Sequence, residues 1–387
     1  MGPRRQERVS EGRVAGVRCR MPWWVGLVVA AFGFADVRGA VSPPATATAT
    51  ATVTNRVVFR VGTANCTGDS QRYDDAGIRL LQALAADVLA VQEFNYRANS
   101  AADLRAFVGA VAGTNAVFFR ESGPGLQIPN GVVSRFPLRA AGSWADARVA
   151  NRGFVWARVD VPGERDLFVV SVHLKAGGGS SDASTRQAQA AALRTLVLAN
   201  APADAFVALA GDLNLQNRGE AALATLRTFL EDEPWPADQS GNPNTNNARE
   251  RPYDQVLVDS LLAAVQVPTR LGGEVFPSGV VFDPRRFVPA ERALPALAGD
   301  AAGVQHLPVA RDFAVAEVRV VEVPAPRLSF ERGWIRWAGV PGVTYRVEGS
   351  RDLRAWDEAG RVTVNDEAGT FEVVREAETV FYRVAFP

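Results

Sequence analysis

Apolar and polar positions change rhythm along this chain, and each rhythm predicts an element. "VVFRVGTAN" (57–65) is a mostly apolar run ending in small and polar residues, which reads as a strand. "DDAGIRLLQALAAD" (74–87) places its apolar residues at helical spacing, and "VLAVQEF" (88–94) returns to a buried strand. A second helix is predicted at "AADLRAFVGAVAG" (101–113). Four strands follow: "AVFFRE", "GVVSRFPL", "GFVWARVDV" and "DLFVVSVHL", with PNG and PGE turn signals between some of them. "TRQAQAAALRTLVLANA" (185–201) has the clearest helical period and leads into the strand "AFVALAGDLN" (205–214). Consecutive strands without helices between them exclude a purely parallel doubly wound sheet. An α/β arrangement of two mixed sheets with helices outside fits instead. No period of about 20 to 50 residues repeats, which excludes a solenoid.

The two ends break this rhythm. Arg13, Arg18 and Arg20 precede the apolar run "WWVGLVVAAFGFA", and "DVRGA" then ends in small residues suited to cleavage after Ala40. Residues 1–40 therefore read as a secretory signal peptide. Their apolar run is shorter than the roughly 20 residues a spanning helix needs, so no stable membrane span is expected. Residues 41–55, with the tract "SPPATATATATVTN", read as a low-complexity leader that buries nothing. A large α/β domain is expected over 56–322. Beyond "PAPR", residues 327–387 alternate aromatic and β-branched residues with turn signals, notably in "WIRWAG", "TYRVEGS" and "TVFYRVAF". That is the pattern of a small all-β sandwich.

Export changes the reading of composition. Hydrophobic content of 47% and charged content of 22% are those of a folded globular chain, not a disordered one. Cys19 would leave with the signal, and Cys66 alone cannot form an internal disulfide. The chain has 42 basic and 42 acidic side chains; residues 1–40 hold seven arginines and three acids, leaving 35 against 39. A net charge of −4 excludes a general nucleic-acid coat but allows a local basic groove, to which "NARERPYD" and "DPRRF" would contribute. Lys175 is the only lysine, so the abundance of arginine reflects composition and not phosphate selectivity.

The chemistry-bearing residues sit at strand ends. Asn65 ends the first strand, Glu93 ends "VLAVQE", His173 ends "FVVSVH", and Asp212 with Asn214 ends "FVALAGDLN". Asp254 starts "YDQVLV" and His306 starts "HLPVARDFAV". Singly, each has a plain structural explanation: a turn residue, a cap, a core histidine. As a set they place both histidines of the chain among carboxylates and carboxamides suited to phosphate and a hard metal.

The ordered series "GTAN", "VLAVQEF", "GVVSRFPL", "FVVSVHL", "ALAGDLN", "PYDQVL" and "QHLPV" resembles the endonuclease/exonuclease/phosphatase superfamily over residues 56 to 320. The resemblance implies a four-layer α/β/β/α sandwich. It implies a divalent cation, Mg²⁺ or else Mn²⁺ or Ca²⁺, held by Glu93 with Asn65 and Gln305 close by. It also implies that Asp254 orients His306, that Asp212 handles a proton or positions water, and that Asn214 donates to phosphate oxygens. His173 would supply a further donor or the leaving-group proton, and Arg152 in "NRGFVW" would lie near the phosphate. Which of Asp212 and His306 is the base stays open at this point. A histidine at 173 matches secreted DNases and sphingomyelinases, whereas abasic-site endonucleases lack it. "NCT" (65–67) is a glycosylation sequon by pattern, discounted because Asn65 belongs to the implied site.

One residue departs from the pattern. Where most of the superfamily has aspartate before the last histidine, this chain has Gln305, with no charge to offer a cation. Asp300, a short loop away, is the expected substitute. The implied function is a secreted, metal-dependent phosphoesterase, in its simplest form a nuclease-like phosphodiesterase acting on phosphodiesters, nucleic acid among them. The alternatives are a phosphomonoesterase or sphingomyelinase-type phospholipase C on the same scaffold, and a catalytically silent extracellular binding protein.

Overall fold

A computed structural model describes residues 25–30, 40–41, 48–287, 295–373 and 380–386. The chain divides into two compact units, Arg56–Glu317 and Met1–Asn55 with Val318–Pro387.

The Arg56–Glu317 unit begins within β1 (Thr48–Ala64), followed by α1 (Asp75–Leu84), β2 (Val88–Val91) and α2 (Ala101–Ala112). Then come β3 (Val117–Arg120), β4 (Gly131–Ser134), β5 (Leu138–Trp144), β6 (Phe154–Val159) and β7 (Leu167–His173). After α3 (Ser180–Asn200) follow β8 (Phe206–Asp212), α4 (Ala221–Leu226), β9 (Asp254–Val258) and β10 (Val309–Pro324). Local chemistry sets the helix starts. Asp74 accepts the Gly77 N–H at 3.0 Å at the head of α1, and Ser100 with Asp103 forms a reciprocal capping box on α2.

Two mixed sheets result. The first runs β10–β1–β2–β4–β3, with Gln266–Val267 and Val280–Val281 also paired to β10; the second runs β9–β8–β7–β6–β5. In the second sheet, strand alternation sorts side chains to two faces. Val155, Val169, Ala208 and Val256 join a core with Val61, Ala90 and Val132 of the first sheet and Ile78, Leu81 and Phe107 of α1 and α2. Phe168, Val170, Leu209 and Leu257 pack instead with Leu193 and Val197 of α3 and Leu223 of α4. The layers are therefore α/β/β/α. Between the sheets lies a buried polar link: the Gln92 amide donates to Ser171 Oγ at 3.0 Å and accepts from Thr63 Oγ1 at 3.0 Å.

The structure corrects several expectations. "GVVSRFPL" is not one strand: Gly131–Ser134 belongs to the first sheet and Leu138 opens a strand of the second. Pro137, which has no N–H to give a ladder, stands at the crossing. His306 does not start its strand; Val309 does, after Pro308.

The tract read as a leader falls partly outside the described residues, at 42–47. Its remainder from Thr48 is strand, and Ala51 and Val53 are buried. They join Val323, Ile335, Trp337, Tyr345, Val347 and Val384 in the core of the second unit. Of the segment read as a signal peptide, 1–24 and 31–39 lie outside the described residues. Val25–Ala30 pairs as a strand, antiparallel to Val380–Ala385. Among the described residues from Val318 onward the second unit is all β. It has one sheet containing Val380–Ala385, Thr344–Ser350 and Asp357–Thr363, and another of Leu328–Glu331, Trp334–Ala338 and Ala368–Glu372. Among the described residues no helix is long and apolar enough to cross a membrane.

Candidate active site

Strand register builds the centre of the site. Asp212, last residue of β8, lies opposite His173 across the parallel β7 pairing and opposite Asp254 across the antiparallel β9 pairing. Three adjacent strands thus present His173, Asp212 and Asp254 in one row, with neighbouring strands about 4.8 Å apart. Close approach of β7 and β8 demands the glycine before Asp212. A Cβ on Gly211 would stand 2.0 Å from the Val172 carbonyl oxygen.

Asp212 is the hub. Its Oδ2 accepts from Asn65 Nδ2 at 3.0 Å and lies 3.3 Å from His173 Nε2 and 3.6 Å from His306 Nδ1. Its Oδ1 accepts the Asn214 backbone N–H at 2.9 Å, and Asn214 holds a left-handed φ of 51°, which asparagine tolerates better than most residues. His306 Nδ1 is 3.0 Å from Asp254 Oδ2, leaving Nε2 as the ring atom for other partners. The Tyr253 ring packs on the His306 ring with centroids 5.1 Å apart. Asn65, Glu93, His173, Asp212, Asn214, Asp254 and His306 are all buried.

Glu93 is the strained member, with φ at 50°, a conformation disfavoured for a non-glycine residue. Thr67 Oγ1 donates to its Oε2 at 2.5 Å, and its Oε1 has only the Asn65 amide at 3.5 Å. Both hydrogen-bonding partners are neutral. The charges of Arg152 and His306 act on it through space, and its oxygen chemistry suits a hard divalent ion. A second group of donor atoms, on Asp212, Asp254 and His306, lies within 4.8 Å of one another and could also hold a metal. There the imidazole Nδ1 lies 3.0 Å from Asp254 and 3.6 Å from Asp212, and Glu93 with the Asn65 side-chain oxygen is a second candidate seat for an ion.

Electrostatics separates the two histidines. Burial lowers the His306 pKa, but Asp254 and Asp212 outweigh it and raise it to about 9. Burial, with Arg152 and His306 nearby, holds His173 well below 6.5. Its Nδ1 is buried with no hydrogen-bond partner among the described residues, which suits a neutral ring with the proton on Nε2 toward Asp212. Burial also raises Asp212 from the ordinary carboxylate range, against the opposing charge of His306. In metal-free protein, NMR of the two histidines should show His306 charged at pH 7.5 and titrating near 9, with His173 neutral. The sign for stability follows. The His306 contribution is complete below about 6.5 and is lost as pH rises through about 9, while buried neutral His173 costs stability below about 6.5. Two histidines titrating together near 6.5 would refute this arrangement.

The outlying expectations fare differently. Arg152 donates through Nε to the His173 carbonyl and through Nη2 to the Leu174 carbonyl, both at 2.7 Å. Two of its donors thus brace the end of β7 while Nη1 donates to Asn151 Oδ1 at 3.1 Å, and Glu121 fixes the adjoining turn by accepting the Asn130 and Gly153 N–H groups at 2.6 and 2.9 Å. Gln305 donates its amide to Gly68 O at 2.9 Å and its backbone N–H to Thr67 O at 2.8 Å. It ties the loop that carries Thr67, and no hydrogen bond joins it to Glu93 or Asn65 among the described residues. Asp300 does not substitute for an aspartate at 305, because Arg79 holds it at 2.5 Å and it caps its own turn through the Leu297 N–H. Asn65 is buried and donates its amide to Asp212, in keeping with the discounted sequon.

Sequence reasoning missed Thr67 and Thr245. The Thr245 hydroxyl donates to Asp254 Oδ2 at 2.8 Å and accepts the Asp254 N–H at 2.8 Å, locking the carboxylate that orients His306. Thr67 lay within the inspected "NCT" triplet, whereas nothing in "NPNTNNARE" marks Thr245.

The sequence profile of the Endonuclease/Exonuclease/phosphatase family matches residues 62–278. The chain belongs to that family. As an endonuclease/exonuclease/phosphatase protein it stands among nuclease- and phosphatase-type hydrolases. It is similar to an endonuclease/exonuclease/phosphatase from Beutenbergia cavernae DSM 12333 (15% identity, 84% of this chain and 95% of that one, TM-score 0.46). It is also similar to an AP endonuclease from Archaeoglobus fulgidus (13%, 66% and 99%, TM-score 0.44) and to beta toxin from Staphylococcus aureus (13%, 65% and 99%, TM-score 0.41). No curated protein matches the chain.

Proposed function

We propose that this protein is a secreted, divalent-metal-dependent phosphoesterase, a nuclease-like phosphodiesterase that cleaves P–O bonds with activated water. The observation that carries this reading is Asp212 set between His173 and His306, with Asp254 behind His306 and Glu93, hydrogen-bonded only by the neutral Thr67 and Asn65 side chains, beside them. Glu93 and Asn65 would hold the cation, which when bound would neutralise charge on a phosphoryl oxygen. Asp212 is the convergent acceptor and takes the proton of the attacking water. Asn65 and His173 hold that carboxylate in place. His306, fixed through Nδ1 by Asp254, donates from Nε2 to the phosphoryl group as charge develops on it. Asn214 adds a side-chain donor near the same centre. Export rests on the N-terminal pattern of arginines, apolar run and small residues.

The test is a substrate panel with the chain from Val41 onward: DNA, RNA, sphingomyelin and small phosphomonoesters, each with Mg²⁺, Mn²⁺ or Ca²⁺ and with chelator. Metal-dependent cleavage of a nucleic acid supports the reading. Exclusive turnover of sphingomyelin or of monoesters replaces the nuclease assignment. Folded protein that leaves every substrate intact ends the enzyme reading.

A further inference from the structure

We propose that the cleft between residues 247–249 and 283–286 is a seat for a second phosphate, so that the substrate is a polyanionic chain; this deepens the phosphodiesterase reading and rests on it. Two arginine-bearing segments far apart in sequence, "NARERPYD" and "DPRRF", meet there. An open cleft of about 600 Å³ is lined by Asn247, Ala248, Arg249, Asp283, Arg285 and Arg286.

The cleft adjoins the catalytic pair through one loop. Thr245 of this loop fixes Asp254 by its hydroxyl and accepts the Leu307 N–H at 2.8 Å. Asn246 bridges His306, and the Asn247 N–H donates to Gln305 O at 2.9 Å. The Asn247 amide also donates to the Ala301 and Val304 carbonyls at 2.5 and 2.6 Å, so the loop is anchored at the cleft edge. Residues two to four positions beyond Thr245 line the cleft, and consecutive Cα atoms are about 3.8 Å apart. That keeps the cleft within reach of a phosphate neighbouring the scissile one.

Its charges are arranged for an anion. Asp283 binds Arg285 at 2.7 and 2.8 Å and lies 3.4 Å from Arg249, which also pairs with Asp238 at 2.6 Å. These contacts hold Arg249 and Arg285 in place. Arg286 is exposed and its guanidinium has no partner among the described residues, leaving the lining with excess positive charge. Guanidinium groups fixed in this way recognise phosphate in a defined geometry. An isolated monoester has no second phosphate to place there, whereas DNA and RNA do.

The test measures binding of labelled ten-nucleotide oligothymidylate and oligouridylate in EDTA, at two salt concentrations, by wild type, Arg286→Glu and Arg286→Lys. Arg286→Glu should weaken binding about tenfold at low salt and flatten the salt slope by about 0.7 to 1, with Arg286→Lys close to wild type. Turnover of bis(p-nitrophenyl) phosphate, which has one phosphate, should be the same in all three. Unchanged affinity and salt slope in Arg286→Glu, or no oligonucleotide binding by wild type, overturns the subsite. If the small diester is never hydrolysed while the binding pattern appears, the phosphodiesterase reading fails and the polyanion seat stands. The two failures are thus distinguishable, and unequal loss for the two oligonucleotides identifies the favoured sugar.

Discussion

Asp212→Asn is expected to lower kcat/KM for a phosphodiester by about 10³- to 10⁴-fold, at the upper end of what a positioned acid–base group supplies. The asparagine keeps the size of the side chain and its single oxygen can still accept the Asn214 N–H, but its amide nitrogen then faces the Asn65 donor and it cannot accept a proton from water. Stability should not fall with activity. Burial already disfavours the ionised Asp212 carboxylate, so its removal relieves a desolvation cost while His306 keeps Asp254 as its partner. Activity assays beside thermal unfolding separate the outcomes. Retained turnover means that the base lies elsewhere; joint loss of activity and cooperative unfolding means that Asp212 is structural.

Glu93→Gln should be nearly as damaging, about 10²- to 10³-fold, with a different signature. The amide preserves the shape and can still accept from Thr67, yet it removes the one negative charge at the Glu93–Asn65 group. Activity should therefore recover in part at raised Mg²⁺ or Mn²⁺, whereas Asp212→Asn should not respond. Isothermal titration with the cation gives a readout free of turnover: weaker binding in Glu93→Gln and binding near the wild-type level in Asp212→Asn. Equal cation affinity in wild type and Glu93→Gln would move the metal to the Asp212–Asp254–His306 group, whose atoms also lie close enough together.

Much of the site was legible because functional groups follow apolar runs that announce buried strands. Asn65, His173, Asp212 and Asp254 all sit at such ends. What the runs do not encode is pairing. That His173, Asp212 and Asp254 stand side by side depends on register between strands separated by α3 and by the long connection to β9, a non-local property. Thr245 was invisible for the same reason: its partner is fixed by how a polar loop folds back on β9. Gln305 stood out in sequence as an uncharged residue where a charge was expected, and the structure gives it loop-tying hydrogen bonds instead. The Ala/Thr tract was misread on composition. Its strict alternation is also the period of a strand, and Ala51 and Val53 do face a core. Conversely, "GVVSRFPL" shows that a stretch read as one strand need not stay in one sheet.

The most direct measurement is the rate of bis(p-nitrophenyl) phosphate hydrolysis by the chain from Val41 onward, with Mg²⁺ and with EDTA, beside His306→Ala. Turnover that disappears in EDTA, returns with Mg²⁺ or Mn²⁺, and is lost in a folded His306→Ala variant is the predicted result. Turnover indifferent to the chelator, or surviving in His306→Ala, would contradict a metal-dependent hydrolase centred on these residues.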